Sequence, residues 1–191
     1  MTSLLKTWQA AALLLLSWLL FQAVHEFGHV LAAWGTGATV ERVVLHPLTI
    51  SRTDIADAAH PLAVTWGGPI FGAFFPLGLF FLLPRNMPGR HFFRFFAGFC
   101  LVANGVYIGA DFSSTTGFTD TARLITHGAA RWQTVLFGLI SVTLGFYLWH
   151  RQSKNFGFGP EAKPVSPAAV CILTVLLTAV IAAECLFFAA L

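Results

Sequence analysis

Five long apolar segments constrain the fold of this chain more than any other feature. Each is close to the roughly 20 residues that a helix needs to cross the hydrocarbon core of a bilayer. Because backbone amides in lipid must be bonded within their own segment, helices are favoured over an open sheet. The sequence therefore predicts an all-α polytopic membrane protein with about five transmembrane helices. The segments span about 8–34, 62–83, 92–110, 132–149 and 168–191.

The overall composition supports this prediction. Only 10% of the 191 residues are charged, whereas soluble domains carry about 25%. No polar stretch is long enough to form a separate soluble domain, so residues 1–191 are expected to form one membrane-embedded domain. The net charge of +3 does not indicate a nucleic-acid partner. We expect a multi-pass integral protein of a bacterial cytoplasmic membrane, with the lipid bilayer around it, and the sequence leaves its oligomeric state open.

A short stretch after the first apolar segment has a different character. Residues 38–50 are rich in β-branched side chains, among them Val40, Val43 and Val44. Such residues favour extended backbone over helix. The sequence predicts a short extended element or β-hairpin directly after the first helix.

The first apolar segment ends in a motif that carries chemistry, His25-Glu26-Phe27-Gly28-His29. Positions i and i+4 share one face of a helix, so both imidazoles can bind the same metal ion. Glu26 is placed to act as general base toward a water molecule at that metal. Two histidines and a glutamate are costly to keep in so apolar a helix without a function. The pattern predicts a metalloprotease site within the bilayer.

A catalytic zinc site usually needs a third protein ligand and keeps one position open. Two imidazoles, one carboxylate and an open position favour Zn2+ over other divalent ions. Asp111 and Asp120 flank a polar loop after the third apolar segment, where non-helical backbone is tolerated if it lines a cavity. Spacing and residue type alone leave the choice open. The candidates are Asp111, Asp120, His46, His60, His127 and Glu184.

Basic residues give a first indication of orientation. Seven of them fall on the side of the N-terminus and four on the side of the motif. The positive-inside rule then places the N-terminus in the cytoplasm. The motif and residues 111–131 share the opposite face, so this loop can complete the metal site.

Three motifs together resemble the site-2 protease family of intramembrane zinc metalloproteases. The His-Glu-x-x-His sequence matches the zinc motif of that family. Gly67-Gly68-Pro69 resembles the Gly-Pro motif that opens the next helix, and residues 119–124, Thr-Asp-Thr-Ala-Arg-Leu, resemble the segment that carries the third ligand. The resemblance covers roughly residues 15–125, and family members often place a β-hairpin after the first motif.

The resemblance implies a Zn2+ ion held by His25, His29 and Asp120, with Glu26 as the catalytic base. Asp111 stays the alternative third ligand, because its distance from Asn104 is closer to the spacing in the family. The chain departs from the family pattern at Thr121, where glycine is usual, and in the absence of a proline after Asn104. The family also usually acts near the cytoplasmic face, so the orientation stays open.

These features predict an intramembrane zinc-dependent endopeptidase. Its substrate would be a membrane-spanning or membrane-adjacent segment of another transmembrane protein. One alternative is a non-catalytic, protease-like membrane module that binds client helices without cutting them. A metal transporter is a further alternative, but the second and fourth apolar segments offer few polar groups for a path through the membrane.

Overall fold

The computed structural model describes residues 2–111 and 119–189. Within these ranges the chain forms six α-helices and one two-stranded antiparallel sheet. Five of the helices, all but the fourth, are long and apolar enough to cross a membrane. This confirms the predicted polytopic helical architecture. The elements are α1 Thr2–Thr36, β1 Thr39–Val44, β2 Arg52–Ala56, α2 Pro61–Leu82, α3 Arg90–Gly109, α4 Asp120–Thr126, α5 Arg131–Trp149 and α6 Pro167–Ala189, with a 3-10 turn at Ser153–Phe156.

Helix α1 has 35 residues and is therefore about 52 Å long, well beyond the ~30 Å of a hydrocarbon core. The helix is followed by Gly37, whose φ of +75° is a left-handed conformation that glycine adopts without strain. The N–H of Ala38 then donates to the carbonyl of Ala33 at 2.9 Å, which closes the last turn. The chain thus leaves the helix directly into the first strand.

The predicted β-hairpin is confirmed. Strands β1 and β2 pair antiparallel, with Val40 opposite Ile55 and Val43 opposite Thr53. Strand β2 lies beyond the stretch 38–50 that the sequence indicated, because the end of that stretch forms the connection between the strands. The hairpin contacts α1, so it lies beside the helix that carries the histidines.

Close approach between helices depends on glycine. Helix α1 packs against α2 and α6, α2 packs against α3, and α3 packs against α5. Where α1 meets α2, a Cβ added at Gly67 would lie 2.6 Å from the carbonyl oxygen of Gly28. Where α3 meets α5, a Cβ added at Gly138 would lie 2.7 Å from the Cα of Gly109. Small residues let membrane helices approach until their backbones touch, and both contacts use this.

The sequence did not predict α4. This seven-residue helix follows Thr119, whose side-chain oxygen accepts a hydrogen bond from the N–H of Ala122 at 3.2 Å. A threonine in this position is a favourable N-cap. The cap places Asp120 in the first turn of α4, and α4 contacts both α2 and α3. A polar segment outside the membrane helices is thereby fixed against the helices of the core.

Candidate metal centre

His25, His29 and Asp120 come together at one point. The two Nε2 atoms of the histidines lie 3.2 Å apart. The Oδ2 atom of Asp120 lies 2.9 Å from His25 Nε2 and 3.3 Å from His29 Nε2. All three side chains are buried. One turn of α1 and the start of α4 thus supply three ligand atoms that face each other.

The other ring nitrogens are held by acceptors. His25 Nδ1 donates to Oδ1 of Asn104 at 2.7 Å, and His29 Nδ1 donates to the carbonyl oxygen of Val64 at 2.9 Å. The Asn104 amide is oriented by its own Nδ2, which donates to the carbonyl of Cys100 at 2.9 Å. Because each Nδ1 carries the ring proton, each Nε2 presents a lone pair to Asp120. Outer hydrogen bonds of this kind fix the tautomer and the orientation of metal-binding histidines.

Three acceptor atoms facing one another require a cation or a shared proton between them. Tetrahedral zinc with bonds of 2.0–2.1 Å separates neighbouring ligand atoms by about 3.3 Å, close to the distances between these three side chains. The residues present therefore fit a Zn2+ ion.

Glu26 is buried next to this cluster without belonging to it. Its Oε2 accepts a hydrogen bond from the Thr53 hydroxyl at 2.8 Å. Its Oε1 forms no hydrogen bond within the residues that the structure describes. Thr53 lies on β2, so the hairpin positions the carboxylate. The sequence alone does not indicate Thr53, since no local pattern around residue 53 reveals a contact with residue 26.

The remaining candidate ligands lie elsewhere. Among residues 2–111 and 119–189, His25, His29 and Asp120 form the one group of three metal-ligating side chains. Asp111 instead accepts a hydrogen bond from the Thr119 hydroxyl at 2.6 Å. Glu184 is buried in α6, and the other histidine candidates lie in the hairpin connection (His46) and next to helix ends (His60 and His127). The geometry brings Asp120, and not Asp111, beside the histidine pair.

Two further residues support the cluster. Gly68 leaves the room that the His29 ring occupies, because a Cβ at this position would overlap the imidazole. Tyr107 accepts a hydrogen bond through its hydroxyl oxygen from the N–H of Asp120 at 3.2 Å. For Asn104 the sequence left two roles open, contact with the substrate or linkage between helices. The structure gives it a contact with His25, which links α3 to α1.

Two cavities meet at Glu26. The apolar cavity, about 540 Å3, lies between α1 and α3 and reaches His25. The polar cavity, about 980 Å3, opens beside the hairpin and α4 and reaches His29 and Asp120. Ser51 and Tyr107 line both. A chain that runs through both cavities passes Glu26 and the three convergent side chains.

Comparison with known proteins identifies a family. The profile described as Peptidase M50B-like matches residues 1–110. The matched part contains the His25–His29 motif, the hairpin, Gly67-Gly68-Pro69 and Asn104, and it ends before Asp120. Searches of curated proteins and of solved structures find no significant match. Since the profile covers more than half of the chain, the protein belongs to the Peptidase M50B-like family of the site-2 proteases.

Proposed function

We propose that this protein is an intramembrane zinc-dependent endopeptidase. The observation that carries the proposal is the convergence of two imidazoles and one carboxylate, with a second carboxylate beside them that is not part of the group. Catalytic zinc sites combine three protein ligands with an open position and a nearby general base. Membership of a metallopeptidase family supports the same reaction.

His25, His29 and Asp120 would hold the ion. When bound, zinc supplies Lewis acidity, which polarises a peptide carbonyl and makes water a better nucleophile. Glu26 accepts a proton from the attacking water and delivers it to the nitrogen of the leaving amine. The Thr53 hydroxyl holds Oε2 of Glu26, so Oε1 remains for this proton transfer.

The substrate we propose is a membrane-spanning or membrane-adjacent segment of another transmembrane protein. The site is buried among helices that are apolar enough to cross a membrane, so a polypeptide reaches it from within or beside the bilayer. A helical segment hides its peptide groups in internal hydrogen bonds. The substrate must therefore unwind locally before its backbone can approach Glu26.

The metal content of detergent-purified protein tests the ligand set. We expect about one zinc per chain in the wild type. Asp120→Asn should lose the ion because it removes the anionic ligand, whereas Asp111→Asn should retain it because Asp111 lies outside the group. Loss in Asp111→Asn with retention in Asp120→Asn would move the third ligand to Asp111. A wild type that binds no zinc after reconstitution would contradict the site.

Cleavage of a single-span reporter polypeptide in proteoliposomes tests the reaction. Glu26→Gln should keep its zinc and lose cleavage, because an amide cannot accept the proton. Undiminished cleavage by this variant would contradict the role of Glu26. A zinc-loaded wild type that binds reporters and cuts none would favour the non-catalytic module instead.

A further inference from the structure

Gln22 is a buried residue whose amide pairs with no other residue in the described part of the chain. It lies on α1, one turn before Glu26, and its exposed fraction is 8%. Its side chain forms no hydrogen bond within residues 2–111 and 119–189. A carboxamide that pairs with no group of the protein is available to pair with a ligand, and polar residues kept in membrane helices tend to be functional.

The Gln22 side chain lines the apolar cavity. The wall of this cavity is largely apolar and includes the aromatic rings of Trp18, Phe21 and Phe99. Glu26 lines the same cavity. A ligand that contacts Gln22 there therefore extends toward the proposed catalytic base. Four helical residues correspond to a rise of about 6 Å, which is about two residues of extended polypeptide.

The chemistry of this cavity distinguishes between possible occupants. A lipid acyl chain would fill the apolar volume but leave the carboxamide without a partner. An extended polypeptide with apolar side chains fills the same volume and brings peptide N–H and C=O groups. A carboxamide has both a donor and an acceptor, so it can pair with both groups of a peptide backbone.

We propose that Gln22 anchors the peptide backbone of the substrate in the apolar cavity, about two residues from the bond that is cut. This inference rests on the proposed function and adds the way in which the substrate is held. The polar cavity on the other side of Glu26 is lined by charged side chains, among them Glu41, Arg52 and Arg123. The substrate class that follows is an unwound apolar segment that continues into a polar one, with the scissile bond near their junction.

Binding measurements in a Glu26→Gln background separate binding from cleavage. The probe is a reporter polypeptide with a Leu/Ala span of about 20 residues, a Gly-Gly pair near one end, a Ser/Asn-rich flank and a photoreactive group. Its apparent Kd is obtained from saturation of cross-linking in detergent micelles. Gln22→Met, which keeps the length of the side chain and removes the amide, should raise this Kd about tenfold.

Gln9→Met is the matched control. Gln9 lies on the same helix, is 2% exposed and lines neither cavity. This variant should bind the probe with an unchanged Kd. Zinc content, measured for each variant, reports whether the fold is retained. If Gln22→Met does not fold, Gln22→Asn, which is shorter by one methylene, provides a second test with the same expected direction.

A series of probes with single ester bonds tests direct contact. Each ester removes one peptide N–H from the apolar part of the probe. We expect one ester position to weaken binding to the parent protein and to have no further effect on Gln22→Met, because effects on directly contacting groups are not additive. Only a direct contact with the backbone produces this pattern, whereas a structural role of Gln22 does not.

Three outcomes would overturn the inference. They are equal binding of the probe by Gln22→Met and its parent, an equal loss in Gln9→Met, and ester effects that are the same with and without the Gln22 amide. The first is the result expected if the cavity holds only lipid. A wild type that binds the probe through Gln22 and does not cleave it would contradict the proposed endopeptidase activity but not the proposed binding of a peptide backbone by Gln22.

Discussion

The contact between α1 and α2 and the contact between α3 and α5 use the same means of close packing but serve different ends. At the first, backbone meets backbone at Gly28 and Gly67, and the neighbouring Gly68 leaves room for an imidazole. At the second, backbone meets backbone at Gly109 and Gly138. A missing side chain creates space in both places. In the α1–α2 contact, part of that space is occupied by the ring of His29, a candidate metal ligand. In the α3–α5 contact, the space is occupied by the backbone of the neighbouring helix.

This difference indicates what a substitution in each region should change. A methyl group that enters the space of His29 alters the geometry of the candidate metal centre. A methyl group between α3 and α5 alters the separation of two helices and therefore the stability of the fold. If binding and stability separate in this way, substitutions in the α1–α2 contact should change zinc affinity, and substitutions in the α3–α5 contact should change the free energy of unfolding.

The largest effect is expected for Gly68→Ala. The added methyl group would overlap the His29 ring, so the imidazole must turn away from Asp120. Loss of an outer hydrogen bond to a metal ligand reduces metal affinity by up to about a hundredfold. Displacing the ligand itself should reduce zinc affinity by more than this. Competition with a chelator measures this affinity. Gly78→Ala on the same helix is the control, because its added carbon meets no atom within 4 Å; normal zinc binding by Gly68→Ala would contradict the comparison.

Asn104→Leu should have the next largest effect. It removes the acceptor that holds the proton on His25 Nδ1, so the ring is free to rotate or to change tautomer. We expect zinc affinity to fall about 10- to 100-fold. Asn104→Asp keeps both the acceptor and the shape, and it should restore most of the affinity. If Asn104→Leu binds zinc as tightly as the wild type, Asn104 does not position His25.

Gly138→Ala tests the second region. The added carbon would lie 2.7 Å from the Cα of Gly109, so α5 must move away from α3. Overpacking of this kind should lower the free energy of unfolding by about 1–3 kcal/mol, seen as a lower Tm in detergent. Zinc per folded chain should stay unchanged. Gly35→Ala, whose added carbon meets no atom within 4 Å, is the control, and selective loss of zinc in Gly138→Ala would show that the two regions are coupled.

The smallest effect is expected for Thr53→Val. This change removes the hydroxyl that donates to Glu26 while keeping the β-branched shape. The net free energy of one hydrogen bond corresponds to roughly a two- to tenfold change in rate. The kcat for cleavage of the single-span reporter should therefore fall by that factor, with zinc content unchanged. Thr53→Ser should recover the rate. A lower zinc content in Thr53→Val would mean that the hairpin supports the ligands rather than the base.

Much of the fold followed from local sequence. The five membrane helices were predicted from apolar runs, and the hairpin from its β-branched residues. Helix α4 was not predicted, because seven residues with few apolar positions give little periodic signal. The start of this helix also depends on the cap at Thr119. For the candidate site, the spacing of His25 and His29 indicated a shared face, and Asp120 followed from the resemblance. Thr53, Gln22 and the carbonyl of Val64 had no signal in the sequence.

By itself, then, the sequence determined that this protein is a set of membrane helices with two histidines and a glutamate on one of them. Those properties depend on hydrophobicity and helical periodicity, which act over a few residues. Only the tertiary structure decided which carboxylate lies beside the histidines and what fixes their rings. The partners of His25 are Asp120 and Asn104, which lie 95 and 79 positions away in the sequence. Contacts over such distances exist only after the helices have packed. Their geometry depends on how closely glycine lets the helix backbones approach one another.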